Sequence, residues 1–187
     1  MMQRLSPLPD YLAPGLDIIF VGINPGVQSA RAGHYYANPR NPFWRLLHKA
    51  GLTPRELRPD DDYLLPTFGY GITDIVKRPS PGVADLRPAE FRRGRQILEE
   101  KLHARQPLIV CFNGKTGFVN FFDAERFNHF GVQAATIGAS RVFVVPSTSP
   151  ANAGIPPFTR LRYFRTLRRW REDLAHSAWL MAISNGR

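Results

Sequence analysis

Apolar residues along this chain fall into two kinds of pattern. Three short runs are almost unbroken and rich in β-branched residues: Leu16 to Ile23 (LDIIFVGI), Leu108 to Phe112 (LIVCF) and Val142 to Val145 (VFVV). Runs of that length predict β-strands, and their continuous rather than alternating character predicts that both faces are covered. Other segments repeat at helical spacing. Asn41-Pro42-Phe43-Trp44-Arg45-Leu46-Leu47 opens one, with proline near its first turn and Gly51 beyond its end. A second runs from about Pro88 to Ala104, where Phe91, Leu98 and Leu102 return at helical spacing between arginines and glutamates. A third starts near Thr159 and carries Leu161, Phe164, Leu167, Trp170 and Leu174. Strands alternating with helices predict a layered α/β fold with a mainly parallel sheet. Periodic segments continue into the last twenty residues with no repeat and no linker. One domain over residues 1–187 is expected, with 1–10 as an irregular N-terminal segment.

Composition adds a partner class. The 187 residues are 43% hydrophobic and 21% charged, an ordinary globular balance that excludes general disorder. A chain of this size buries ~70% of its unfolded surface and needs no staples. Fifteen glycines and 17 prolines predict extensive loops. Lysine and arginine (25) outnumber aspartate and glutamate (15), leaving +10. That excess points to a polyanion, nucleic acid first and an anionic membrane second. The lone cysteine, Cys111, sits in an apolar run and reads as a small core hydrophobe in a reducing, intracellular setting. One cysteine also excludes thiolate-bound zinc and a four-cysteine iron–sulfur cluster within the chain. No stretch approaches the ~20 apolar residues of a membrane span, and Met1 to Arg4 leads into a proline-rich segment without a signal-peptide core. The expectation is a soluble protein.

In parallel α/β folds ligands sit beyond the carboxyl ends of strands, so the loops there are the candidates for chemistry. The first run ends in Gly22-Ile23-Asn24-Pro25-Gly26, where two glycines let a ligand approach the backbone and Asn24 is the one polar side chain. Asn24 either faces a ligand or caps its own turn. Gly33-His34-Tyr35-Tyr36 and Asn38-Pro39-Arg40-Asn41 follow, with aromatics that suit stacking on a base or a lid over the core. The second run ends in Phe112-Asn113-Gly114-Lys115-Thr116, half of a phosphate loop. The glycine required five positions before Gly114 is Ile109, so the motif is incomplete and argues against a nucleoside-triphosphatase. Asn113 has the donor and acceptor that pair with a base edge. The third run enters Pro146-Ser147-Thr148-Ser149-Pro150-Ala151, small and hydroxylated enough for close approach to phosphates. Asp74 lies among Ile72, Ile75 and Val76, ahead of Lys77 and Arg78. It is either an ion-pair partner of those cations or a buried acid whose pKa rises into the useful range. The five histidines show no metal-ligand spacing, and no metal site is expected.

Taken in order, the Gly22–Gly26, Gly33–Tyr36, Asn41–Trp44, Gly71–Asp74, Phe112–Lys115 and Pro146–Ser149 segments resemble the mismatch-specific uracil/thymine-DNA glycosylases of the MUG/TDG type over roughly residues 10 to 175. The resemblance implies a three-layer sandwich, its mainly parallel central sheet flanked by helices. It implies a base-excision repair hydrolase without metal or cofactor, working as an intracellular, DNA-associated monomer on double-stranded DNA that contains uracil or a mismatched pyrimidine. By that resemblance Asn24 positions the attacking water, Ile23, Tyr36 and Asn113 contact the flipped base, and the loop Ser147, Thr148, Ser149, Pro150, Ala151 enters the DNA. Two positions depart from the family pattern. Ala151 stands where a bulky or basic wedge is usual, and Asp74 is an acid where a neutral or basic residue is usual, which makes it either a second catalytic group beside Asn24 or a partner for Lys77 or Arg78. The competing class is a non-catalytic basic DNA-binding module, which needs the aromatics and arginines but neither Asn24 nor Asp74.

Overall fold

The computed structural model describes residues 5–152 and 154–185, with side chains to residue 180. Residues 1–4 of the expected irregular N-terminal segment lie outside the described residues, and 5–10 hold no helix or strand. The three apolar runs become strands β1 (Ile18–Gly22), β3 (Ile109–Asn113) and β5 (Ser140–Val145). Two more strands complete the sheet: β2 (Tyr70–Asp74) and β4 (Gly131–Ile137). The order is β2-β1-β3-β5-β4, with β4 antiparallel to β5 and the other pairings parallel.

The expected helices form as α2 (Phe43–Lys49), α3 (Pro88–Arg105) and α5 (Pro157–Asn185); α1 (Val27–Ala32) and α4 (Lys115–Phe122) are additional. Alternate strand residues point to opposite faces, and both faces are covered. Ile18, Phe20, Ile72, Ile109, Cys111 and Phe143 pack with Phe43, Trp44 and Leu47 of α2 and Phe164 and Leu167 of α5. Ile19, Val21, Val110, Phe112 and Val144 pack with Phe91, Leu98 and Leu102 of α3 and Phe118 and Phe121 of α4. This is the three-layer α/β/α arrangement expected from continuous apolar strands.

β2 and β4 escape a search for apolar runs for different reasons. β2 is buried along its whole length yet reads Tyr-Gly-Ile-Thr-Asp. Gly71 is imposed there by crowding, because a methyl would lie 2.8 Å from both Leu16 Cδ1 and the Tyr11 carbonyl. β4 is an edge strand whose burial alternates, and a register shift between Gln133 and Thr136 blurs its period.

For the site, what matters is the other end of the sheet. β2, β1, β3 and β5 are neighbours and parallel, so the loops after Asp74, Gly22, Asn113 and Val145 emerge side by side.

Candidate active site at the carboxyl ends of the strands

Backbone hydrogen bonds tie the first two loops together: Ile75 N–H donates to the Gly22 carbonyl (3.0 Å) and Val76 N–H to that of Ile23 (2.8 Å). The Asn24 carboxamide completes the link. Its nitrogen donates to Ser80 Oγ (2.8 Å) and lies within reach of the carbonyls of Pro25 (3.1 Å) and Arg78 (3.3 Å). Ser80 is buried and passes its own proton to the Gly82 carbonyl (2.7 Å), which fixes it as the acceptor toward Asn24. The amide nitrogen is therefore spent on scaffold, and the oxygen has no partner among the described residues. A held carboxamide with a free acceptor orients a water molecule by taking one of its protons.

Asp74 ends β2 beside that loop. It is 4% exposed, and its Oδ2 has no hydrogen-bond partner. Burial lifts its pKa to about 7; the Lys77 charge opposes the rise and the Asp10 charge adds to it. The two cations that follow it in sequence are engaged elsewhere. Lys77 pairs with Asp10, and Arg78 pairs bidentately with Glu90 (2.6 and 2.9 Å), so of the two readings open in the sequence the ion pair is not the one formed. Asp10 takes Lys77, Lys101 (2.7 Å) and the Thr73 hydroxyl (2.5 Å). Burial works to raise the Asp10 pKa, and those partners bring it below the ordinary carboxylate value. Asp10 thus keeps Lys77 from neutralising Asp74.

Gly22 makes the space into which Asp74 reaches. A methyl at residue 22 would lie 2.2 Å from Asp74 Oδ1 and 3.1 Å from the Tyr36 hydroxyl, so both groups converge over one Cα. Tyr36 adopts a positive φ of 51°. Its loop is pinned by wholly buried Asp62, which accepts from Tyr35 N–H (2.9 Å) and meets His34 Nδ1 (3.2 Å). One face of the Tyr36 ring rests on Phe43, centroids 4.2 Å apart. Its hydroxyl is buried beside Asp74 and the Asn113 amide; burial and the Asp74 charge push its pKa up, and the Asn113 amide opposes the rise.

Asn113, at the end of β3, exchanges two hydrogen bonds with Thr148: its Nδ2 donates to Oγ1 (2.8 Å) and its Oδ1 accepts from the Thr148 N–H (3.0 Å). The second amide proton lies toward the Tyr36 hydroxyl, and one lone pair remains on the Asn113 oxygen, so Tyr36 and Asn113 share one edge of the site. Thr148 itself is completely buried, so within the expected DNA-entering loop it faces inward. Ser147, Ser149 and Pro150 are partly exposed and Ala151 is exposed. Contact between the loops is close, since a methyl on Gly114 (φ 112°) would lie 2.9 Å from Ser147 Cβ. Arg160, from the first turn of α5, clasps this loop. Nε donates to the Ser147 carbonyl (2.9 Å), Nη1 to that of Ile155 (2.8 Å) and Nη2 to that of Asn152.

The structure brings Gly22, Tyr36 and Asp74 together, holds Asn24 two residues further on against Arg78 and Ser80, and places Asn113 and Ser147–Ala151 on the adjoining strand ends. Ile23 is half-buried and packs toward Gly117 of α4, whose Cβ would lie 3.7 Å from Ile23 Cγ1. Asp10 and Ser80 are not candidates from sequence, and Lys77 is one only as a partner of Asp74; nothing in a single sequence signals that Ser80 meets Asn24 from 56 positions away or that Asp10 takes Lys77 and Lys101 from 67 and 91 positions away. A cavity of about 300 Å³ adjoins the site between the segment Thr73–Arg78 and α3, with Arg93, Gly94 and Lys101 on its far wall. Among the described residues no cluster of His, Cys, Asp and Glu has the makings of a metal site, and no helix is long and apolar enough to cross a membrane.

The fold is similar to the solution NMR structure of a "putative Uracil DNA glycosylase" from Methanosarcina acetivorans, with a TM-score of 0.54 and 22% sequence identity over 87% of this chain and 98% of that one. The family described as the Uracil DNA glycosylase superfamily matches residues 9–170, from just before Asp10 through Arg160 and all four strand-end loops, so the chain belongs to that superfamily.

Proposed function

We propose that the protein is a monofunctional DNA glycosylase that hydrolyses the N-glycosidic bond of uracil in duplex DNA, with guanine-mispaired uracil its preferred substrate. The observation that carries this reading is the pair at the ends of β1 and β2: a carboxamide anchored through its nitrogen, and a buried carboxylate with an unpartnered oxygen. Inside a stacked duplex the sugar C1′ is out of reach, so the nucleotide must first rotate out. That costs a few kcal/mol and least for a mispaired base. Tyr36 offers the free face of its ring to the extruded base, and Asn113 offers its remaining lone pair to the base edge. Water held on Asn24 Oδ1 attacks C1′ as the C1′–N1 bond breaks. The bond's electron pair leaves on uracil, the water oxygen becomes the sugar hydroxyl, and Asp74 takes the water proton. While ionised, Asp74 also stabilises the positive charge that develops on the sugar. General-base assistance of this kind is worth ~10²–10⁴ in rate. Ala151 is too small to fill the gap left in the stack, so discrimination between opposite bases rests on the ease of extrusion.

The test is single-turnover cleavage of labelled oligonucleotides carrying uracil or thymine opposite each base, read after alkaline treatment. Wild type releases uracil, fastest opposite guanine. Asn24→Ala is expected to lose at least 100-fold in rate while DNA affinity stays within a few-fold. DNA binding with no excision by wild type would return the protein to the class of non-catalytic DNA-binding modules. A near-normal rate in Asn24→Ala would remove Asn24 from the chemistry.

A further inference from the structure

Six arginines lie on α5, and their surroundings sort them into two groups. Arg160 is turned into the loop it clasps. Arg168 pairs with Glu172 (3.0 Å), and Arg171 reaches the Tyr70 hydroxyl (2.9 Å) and Asp17 (3.5 Å). Arg162, Arg165 and Arg169 are exposed, and their side chains make no hydrogen bond or ion pair among the described residues; the Arg162 guanidinium only overlies the Tyr163 ring at 5.3 Å. Residues 158, 162, 165 and 169 advance by four, three and four, which puts them in one stripe along the helix. At its head stands Phe158, 72% exposed, more than any other large hydrophobic side chain among the described residues.

Some cations elsewhere are matched with acids, as Arg55 is with Asp61, Arg58 with Asp60, Arg78 with Glu90, and Lys77 and Lys101 with Asp10, while others such as Arg40 and Arg92 are exposed without an ion pair among the described residues; the α5 arginines stand out by their alignment in one row headed by Phe158. Like charges at helical spacing repel, so the bare stripe is an unfavourable feature of the free protein that a polyanion relieves. We propose that Phe158, Arg162, Arg165 and Arg169 hold the flank of a DNA duplex that bends away from the strand-end site and lies down the side of α5. The proposal rests on the glycosylase reading and adds to it a bent path for the substrate.

Position and dimensions support that path. α5 starts directly after the clasped loop, and Arg171, midway along it, meets Tyr70 and Asp17 at the beginnings of β2 and β1. The helix therefore runs from the DNA-facing end of the sheet toward the opposite end. At 1.5 Å per residue the stripe covers about 16 Å, and one strand of a duplex presents a phosphate every ~3.4 Å along its axis. A straight duplex resting on the strand ends passes Phe158 and Arg162. Arg165 lies about 4.5 Å further along the axis, within reach of its own side chain, but Arg169 lies about 10 Å beyond Arg162 and meets a duplex that bends. An exposed phenylalanine at the bend is the kind of side chain that wedges between base steps and kinks DNA, a task Ala151 on the neighbouring loop is too small to perform.

The test compares wild type with Arg162→Gln/Arg165→Gln/Arg169→Gln, using an uncleavable uracil analogue centred in duplexes of about 30 and about 10 base pairs. Circular dichroism melting confirms that the variant is folded. On the long duplex the slope of log affinity against log salt should shrink by about 2 to 3, near 0.9 for each lost phosphate contact; on the short duplex, which ends before Arg169, the loss should be smaller by about 1. The corresponding triple lysine variant restores the slope. End-to-end energy transfer on the long duplex should report bending by wild type and less by Phe158→Ala. Equal slopes for wild type and the glutamine variant on the long duplex overturn the proposal, and so does an equal loss on both lengths. Failure of wild type to release uracil from any oligonucleotide counts against the glycosylase reading instead, and leaves the slope comparison intact as a separate result.

Discussion

Asp74 is the residue whose state decides most about the proposed chemistry. A carboxyl with a pKa of about 7 is half protonated at neutral pH, and only its ionised form takes a proton from water or stabilises a cationic sugar. The single-turnover rate of wild type is therefore expected to climb up to tenfold per unit below about pH 7 and to level off above it. Asp74→Asn, nearly the same shape, should show a flat profile at least tenfold below the wild-type plateau. A sloping profile in the variant would assign the titration to another group. Gly22 sets the geometry behind this behaviour, since a methyl there would occupy the place of Asp74 Oδ1.

At the scale of elements, α3 is pressed against the segment that follows Asp74. Gly94 permits the contact: a Cβ at that position would lie 2.2 Å from the Ile75 carbonyl oxygen and 3.0 Å from its carbon. In an isolated helix, alanine in place of glycine stabilises by about 1 kcal/mol. Here the methyl meets backbone, which cannot rotate away, and overpacking typically costs about 1–3 kcal/mol. Strain outweighs propensity, so Gly94→Ala is expected to lower the melting temperature. Because Ile75 is bonded to the Gly22 carbonyl, the displacement should also lower the excision rate. Unchanged stability together with an unchanged rate would show that the helix and Asp74 are not coupled in this way.

For the whole molecule, two carboxylates pull the pH dependence of stability in opposite directions. Asp74 titrates at 3.8 when unfolded and at about 7 when folded. Between those values the folded chain keeps a proton that the unfolded chain has lost, so stability falls as pH rises through that window and its contribution is flat above it. The full loss is about 4 kcal/mol in order of magnitude. Asp10 behaves in the reverse sense: its folded pKa is lowered, so its contribution is present above the unfolded value and is lost as pH falls through the folded one. Wild type should therefore melt higher at pH 5 than at pH 8. Asp74→Asn should narrow that gap and exceed wild-type stability at pH 8, trading stability against activity. Destabilisation at pH 8 would mean that the ionised carboxylate is held by favourable contacts.

The sequence by itself determined the strands that read as apolar runs, because burial on both faces favours apolar residues at successive positions. It also determined α2, α3 and α5, whose Phe43, Trp44, Leu47, Phe91, Leu98, Leu102, Phe164 and Leu167 are all buried where helical spacing puts them. Strand-end loops with few polar side chains, together with the family resemblance, made Asn24, Tyr36, Asp74 and Asn113 candidates. β2 was invisible, because tertiary crowding rather than strand propensity selects Gly71. Which cation pairs with which acid was equally out of reach. Asp74 is three residues from Lys77, yet Lys77 turns to Asp10, 67 positions away. Proximity along the chain does not fix direction in space: the fold brings Asp10 behind Thr73 and leaves Asp74 over Gly22. The state of the buried acid, the free oxygen of Asn24 and the bare arginine stripe on α5 all follow from those placements, and only the tertiary structure decided them.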